Sequence, residues 1–173
     1  LFHCGNGFDA AVVQQVERRA ALKRYAGHPL FLWAGVNTWL RHYDRSKARM
    51  KVEHSMGSIS DSYFTIVLNT DPYTYLGSRP LSLAPVAKLS NGLSVIALRN
   101  MSLTTMTRLL RNLFQGKQLE NSDDVYIAHD VTSLTLTGYK PFPYQIDGDY
   151  LGQVEKLDFK WRPQALRLVK PKL

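Results

Sequence analysis

Apolar residues recur with helical spacing near the start of the chain and with strand spacing after it. Val12, Val16 and Ala20 share one face of a helix predicted over residues 9–25. Asp9 suits its N-cap, because a carboxylate accepts from the free backbone N–H groups of a first turn. Gly27 is expected to end it. Pro29 fits the first turn of a second helix running to about residue 43. Leu30, Phe31, Trp33, Val36, Trp39 and Leu40 cover most of that helix's circumference, which predicts a well-buried element.

The period then changes. Residues 62–69, 93–98 and 125–129 are short runs rich in β-branched and aromatic side chains. Residues 132–137 alternate, with Leu134 and Leu136 on one face. Leu157, Phe159 and Trp161 alternate as well, and Leu166, Leu168 and Val169 follow. A helix interrupts at residues 102–115, with Leu103, Met106, Leu110 and Leu113 inward and Gly116 suited to its C-terminal cap. Helices followed by strands, without strict alternation, predict an α+β fold, mainly antiparallel β. The expected form is a β-sandwich with two N-terminal helices and one inserted helix.

The 173 residues suit a single domain, residues 1–173, with a real core. Apolar residues make up 45% and charged residues 21%, which excludes global disorder. Lys and Arg number 22 against 14 Asp and Glu, and the net charge of +8 favours anionic partners. Arg41, Arg45, Lys47, Arg49 and Lys51 form a basic cluster, opposed locally by Asp44. The lone Cys4 cannot form an intrachain disulfide, so a reducing, cytoplasmic setting is the simpler expectation. The most apolar stretch, residues 30–40, is short of the about 20 residues that span a bilayer. No signal peptide is visible. Leu1 to Cys4 read as a strand already under way, so a piece of a longer chain is expected.

The candidate chemistry is sparse. Gly5-Asn6-Gly7-Phe8-Asp9-Ala10 has the glycine spacing of a dinucleotide-binding turn. No acid follows about 20 residues on, and a helix stands where a second strand is required. The five histidines show no metal-ligand spacing, and no Gly-x-Ser-x-Gly elbow exists. The segment Tyr144-Gln145-Ile146-Asp147-Gly148-Asp149-Tyr150-Leu151-Gly152 reads as two strands joined by an Asp-Gly hairpin turn. Such a turn also displays two carboxylates, able to accept a hydroxyl proton or orient a metal ion.

Four stretches, in order, resemble one family. Gly5-Asn6-Gly7-Phe8-Asp9-Ala10-Ala11-Val12 is similar to the segment that opens the C-terminal lobe of bacterial diacylglycerol kinases. Asn69-Thr70-Asp71-Pro72-Tyr73, through Ala84-Pro85-Val86-Ala87-Lys88-Leu89-Ser90-Asn91-Gly92-Leu93, resembles their Asn-x-x-Tyr, Ala-Pro-x-Ala and Asp-Gly-Leu run. Residues 145–152 resemble their Asp-Gly-Glu/Asp segment, and residues 163–168 their closing strand.

The resemblance implies the C-terminal lobe of the NAD kinase and diacylglycerol kinase-like fold. Its partner would be an N-terminal lobe carrying a Gly-Gly-Asp-Gly-Thr motif for ATP, which this sequence lacks, so this piece alone is expected to be inactive. ATP and Mg²⁺ are the implied cofactors, and the implied activity is phosphorylation of a diacylglycerol-type hydroxyl at the membrane surface. Asp149 matches the family's candidate general base, with Asp147 in support and with an acid of the other lobe as the alternative base. Asp9 and Gly148 are the substrate-binding candidates. Ala11 offers no acid where sphingosine kinases carry one, which favours diacylglycerol. Lys88, Asn91 and Leu93 occupy the family's structural Mg²⁺ loop. Asn91 replaces its Asp and Lys88 adds repulsion, so a tight metal is not expected there. An NAD kinase-like lobe, or a non-catalytic basic β-domain binding anionic lipid or nucleic acid, are the alternatives. On the leading reading no nucleic acid is expected, the protein is peripheral to the membrane, and a homo-oligomer through exposed sheet edges is left open.

Overall fold

A computed structural model describes residues 1–19 and 27–165. The elements run β1 (His3–Asn6), α1 (Phe8–Glu17), α2 (Gly27–Asn37), a π turn (Thr38–His42), β2 (Met50–His54), β3 (Gly57–Ser62) and β4 (Phe64–Leu68). There follow β5 (Thr74–Leu76), β6 (Arg79–Leu81), β7 (Leu93–Leu98), α3 (Leu103–Phe114), β8 (Val125–Val131), β9 (Ser133–Ile146) and β10 (Asp149–Lys160). All strand pairs are antiparallel. Eight strands form one sheet, ordered β3-β2-β9-β1-β4-β7-β8, with β10 paired to β9; β5 and β6 form a separate hairpin. The architecture is the expected α+β, mainly antiparallel, with two early helices and one inserted helix.

The sheet curls so that its two ends meet. His54 Nε2, on β2, lies 2.6 Å from the Tyr126 hydroxyl, on β8. Val52, Leu134 and Leu136 from one half share a single core with Val95, Ala97, Ala128 and Val131 from the other. A second core lies on the outer face, where Ile66, Leu68, Ile96 and Leu98 meet Tyr43, Ala84, Ala87 and Met101. Strands β4 and β7 are thus apolar on both faces. Their runs, Phe-Thr-Ile-Val-Leu and Leu-Ser-Val-Ile-Ala-Leu, are continuous because neither face meets water.

Strand β9 runs for 14 residues, well past the expected end at residue 137. It pairs with β2 through Leu134–Gly138 and with β1 through Tyr144–Ile146. Pro141 and Pro143 fall between those two partners, so they remove no ladder bond on that side. A Cβ at Gly138 would collide with the Lys140 carbonyl at 2.4 Å and the Phe142 ring at 2.6 Å, which explains a glycine at this bend.

Two expectations about the early helices are corrected. Asp9 is not a cap: Gly7 precedes the helix, no side chain caps it, and Asp9 sits inside the first turn. Gly27 is helical, the first described residue of α2, and does not close α1, which ends at Glu17 with Arg18 as its C-cap; the predicted residues 20–25 lie outside the described part. Helix α2 is also not well buried. Leu30 and Ala34 pack against Val16, but Leu32, Val36 and Leu40 are 55–61% exposed, and Phe31 and Trp33 are exposed beside them. Apolar residues all round a helix predict burial on all sides, yet among the described residues the buried side chains of α2, Leu30 and Ala34, pack on one side only, against α1. Residues 161–165 form no strand, and the rest of the expected closing strand lies outside the described residues.

Helix α3 follows its local signals at its ends, but the expected inner face is corrected: Leu103 and Leu110 are exposed, and Met106 and Leu109 pack against the second core. The Ser102 hydroxyl accepts from Thr105 N at 3.2 Å. Gly116, at φ 70°, donates to Leu113 O, and Lys117 N donates to Asn112 O, which together close the last turn as a Schellman cap.

Candidate functional site

The site grows from β1 and the β9–β10 turn. Asn6 is fully buried, and its amide donates to the Cys4 and Thr65 carbonyls, fixing the end of β1 against β4. Burial pushes the Cys4 thiol up to about 12, so it is an inert core group. Beyond Asn6 the chain turns at Gly7, where φ is 80°, and enters α1.

Asp9 points from the first turn of α1 back over β1. One of its oxygens accepts the Tyr73 hydroxyl, and the other accepts Gln145 Nε2 at 2.8 Å. The Tyr73 phenol is held well above its ordinary range, first by burial and then by the charge of Asp9, so it stays a donor. His3 meets the Tyr73 ring edge-on, with centroids 4.9 Å apart.

The turn itself is Asp147-Gly148, with φ of 52° and 93°, between the paired residues Ile146 and Asp149. Two residues with positive φ are what a two-residue hairpin of this kind requires. Asp147 Oδ1 accepts from Phe2 N and His3 N, both at 2.8 Å, so this carboxylate ties the turn to β1. Gly148 N donates to Gln145 Oε1 at 2.8 Å, and Tyr150 N donates to Glu17 Oε1 at 2.9 Å. Asp149 is exposed, and its carboxylate has no hydrogen-bond partner among the described residues.

The predicted site residues therefore fall into two groups. Asp9, Asp147, Gly148 and Asp149 are joined through Gln145 and β1. Lys88, Asn91 and Leu93 are not bonded to them. The register His3↔Leu68↔Ser94 nevertheless puts loop 88–93 at the same end of the sheet as the turn. With strands about 4.8 Å apart, β7 lies roughly 10 Å from β1.

The loop does not suit Mg²⁺. Asn91 Oδ1 already accepts from Ser90 Oγ at 3.0 Å, and the Lys88 carbonyl accepts from Asn91 N at 2.9 Å. Leu93 is a buried core residue. The Asp130 carboxylate, which reaches the loop, is engaged with Gly92 N at 2.8 Å. No group of three or more His, Cys, Asp or Glu among the described residues could hold a metal ion. A hard cation needs several free oxygens, and a lysine ammonium repels it.

Tyr73, Gln145 and Glu17 carry structural roles here that the sequence reading did not assign. Gln145 had a visible signal, an uncharged polar residue between Tyr144 and Ile146 in a strand. Nothing local marks Glu17, whose partner lies 133 positions away.

The sequence matches, over residues 3–170, the protein family described as the YegS C-terminal NAD kinase beta sandwich-like domain. No curated protein matches it. In fold it is similar to a crystal structure described as a candidate diacylglycerol kinase from Bacillus anthracis str. Sterne. The TM-score is 0.56 at 16% identity, covering 96% of this chain and 53% of that one. It is also similar to a structure described as a diacylglycerol kinase from the same organism, with TM-score 0.50, 15% identity and coverage of 96% and 51%. The chain spans about half the length of these solved structures.

Proposed function

Because the chain belongs to the YegS C-terminal NAD kinase beta sandwich-like domain family, we propose that it forms the acceptor-side lobe of an ATP-dependent lipid kinase. The substrate class is a diacylglycerol-type hydroxyl, and the product a phosphatidic-acid-type lipid. The observation that carries this reading is the turn at residues 147–149, which is braced by Asp147, Gln145 and Glu17 and presents an exposed Asp149 carboxylate with no partner among the described residues. The diacylglycerol kinase descriptions of the structural neighbours support the choice of acceptor.

In this reading Asp149 takes the proton of the lipid hydroxyl as its oxygen forms the new bond to phosphorus and the bond to the leaving ADP breaks. Phosphoryl transfer is loose and depends mainly on positioning, so a weak carboxylate base suffices. In this reading ATP is held by a further lobe.

The exposed side of α2 supports a location at the membrane surface. Leu32, Trp33, Val36 and Leu40 stand out from a segment that carries Arg18, Arg19, Lys23, Arg24 and Arg41 and has no Asp or Glu from residue 18 to 43. Arg19 lies 4.3 Å over the Trp33 ring. Exposed apolar side chains in a basic, acid-free stretch of sequence suit an anionic bilayer surface. No helix among the described residues is long and apolar enough to cross a membrane.

The test is γ-phosphate transfer from ATP by the full-length protein to diacylglycerol, sphingosine and NAD in parallel, with Asp149→Asn beside the wild type. Labelling of diacylglycerol, lowered about 100-fold or more in a folded Asp149→Asn protein, is the expected result. Labelling of NAD alone, or of nothing, overturns the lipid-kinase reading. Full activity of the variant moves the base to another residue.

A further inference from the structure

We propose that Gln145 is a positioning residue that sets the placement of Asp149. The inference rests on the kinase reading above and names how its base is held. Gln145 is fully buried, and its backbone pairs with Gly5 on one side and Tyr150 on the other. Its side chain spans two elements, donating through Nε2 to Asp9 and accepting through Oε1 from Gly148 N, each at 2.8 Å.

The donor and acceptor roles admit one arrangement. The Tyr73 hydroxyl donates to Asp9, and Asp9 as a carboxylate only accepts, so the side of the Gln145 amide that faces it must be the NH₂ group. The amide oxygen is then left for the Gly148 N–H. Tyr73 and Asp9 thereby fix the amide, and the amide fixes the turn. A Cβ added to Gly148 would meet no atom within 4 Å, so Gly148 itself is not packed against the rest of the lobe. Hydrogen bonds hold the turn. Asp147 accepts from Phe2 N and His3 N and donates from its own N to His3 O, which ties the turn to β1, and Glu17 accepts from Tyr150 N, which ties it to α1. The Gln145 link continues by hydrogen bonds through Asp9 to the Tyr73 hydroxyl, beside the ring contact that His3 makes with Tyr73.

Room for this relay is made at Gly5. A Cβ there would stand 1.5 Å from Asp9 Oδ2 and 2.7 Å from Gln145 Nε2. The relay also gives Asp9 a task besides headgroup contact, since both of its oxygens are engaged within the lobe.

The experiment uses the full-length protein with ATP and diacylglycerol vesicles, comparing wild type, Gln145→Leu and Gln145→Glu. Gln145→Leu is expected to lower kcat roughly 10- to 100-fold with KM for ATP within about twofold, since positioning acts on the reacting geometry. Amide exchange at Gly148 should speed up at least about tenfold in that variant, a direct readout of the lost bond. Gln145→Glu keeps an acceptor for Gly148 N but opposes Asp9 with a second carboxylate. Its kcat relative to wild type should therefore rise as pH falls from about 8 to 6, when the pair can share a proton. A cavity or a general loss of packing gives no such pH profile, and the Glu variant carries the test if the Leu variant fails to fold. An active wild type with unchanged kcat in Gln145→Leu, or a flat pH ratio in Gln145→Glu, overturns the proposal. A wild type that labels no lipid sinks the kinase reading instead. In that case unchanged Gly148 exchange in Gln145→Leu would sink the brace separately.

Discussion

Gly5 has no space for a side chain, because the Asp9 carboxylate and the Gln145 amide occupy it. Gly5→Ala is expected to destabilise the protein by about 2 kcal/mol or more, since the obstruction includes a hydrogen-bonded pair that must move. Denaturant unfolding checks this, and the drop in midpoint should come with faster exchange at Gly148, because displaced Asp9 releases Gln145. The same residue shows how far local reading reaches. Glycine at position 5 looked like part of a turn motif with Gly7. Gly7 does turn, at φ 80°, but Gly5 lies in β1 and is required by what crosses over it from α1 and β9. Asp9 was misread as a cap for a related reason. A carboxylate at a helix start has a generic use, and only the folded chain shows Tyr73 and Gln145 competing for it.

Among the elements, α3 and α2 make opposite lessons. The ends of α3 are set by Ser102 and by Gly116, which act within a few residues, and both were readable. The burial of α2 depends on what packs around it, and its composition misled. The exposed face makes a testable claim. Leu32→Glu with Val36→Glu is expected to reduce binding to vesicles containing anionic lipid at least about tenfold, measured by co-sedimentation, with stability changed by no more than about 0.5 kcal/mol per site. Equal binding by the double variant would remove α2 from any membrane contact. Strand β9 was read short, since its prolines and Gly138 look like a terminus. They are tolerated because β2 and β1 each pair with only part of it.

For the whole molecule, closure of the curled sheet depends in part on a titratable contact. His54 Nε2 meets the Tyr126 hydroxyl, while Nδ1 accepts from Met56 N at 3.3 Å. Both bonds are made by the neutral ring. Burial holds His54 below its ordinary value of 6.5, and His129 is shifted the same way. The unfolded chain then binds more protons than the folded one as pH falls. Stability is fully present above about 6.5 and is lost as pH drops through that value toward the folded pKa. Urea unfolding at pH 7.5 and 5.5 should show lower stability at the acid end, and His54→Gln should shrink the difference to the part that His129 contributes. An equal pH response in the variant would exclude His54 as its source.

The chain's own pattern determined the class of fold, the inserted helix with its caps, the Asp-Gly turn and the family likeness. Each of these rests on periodicity or on residues within a few positions of one another, where backbone conformation and side-chain spacing decide the outcome. The two-sided burial of β4 and β7, the open face of α2, the span of β9 and the Tyr73–Asp9–Gln145 relay were decided by tertiary structure alone. Asp9 and Gln145 lie 136 positions apart, as Glu17 and Tyr150 lie 133 apart. No local propensity encodes such a contact. It exists because β9 pairs with β1 just where the chain turns into α1, and burial then obliges each polar group to find a partner.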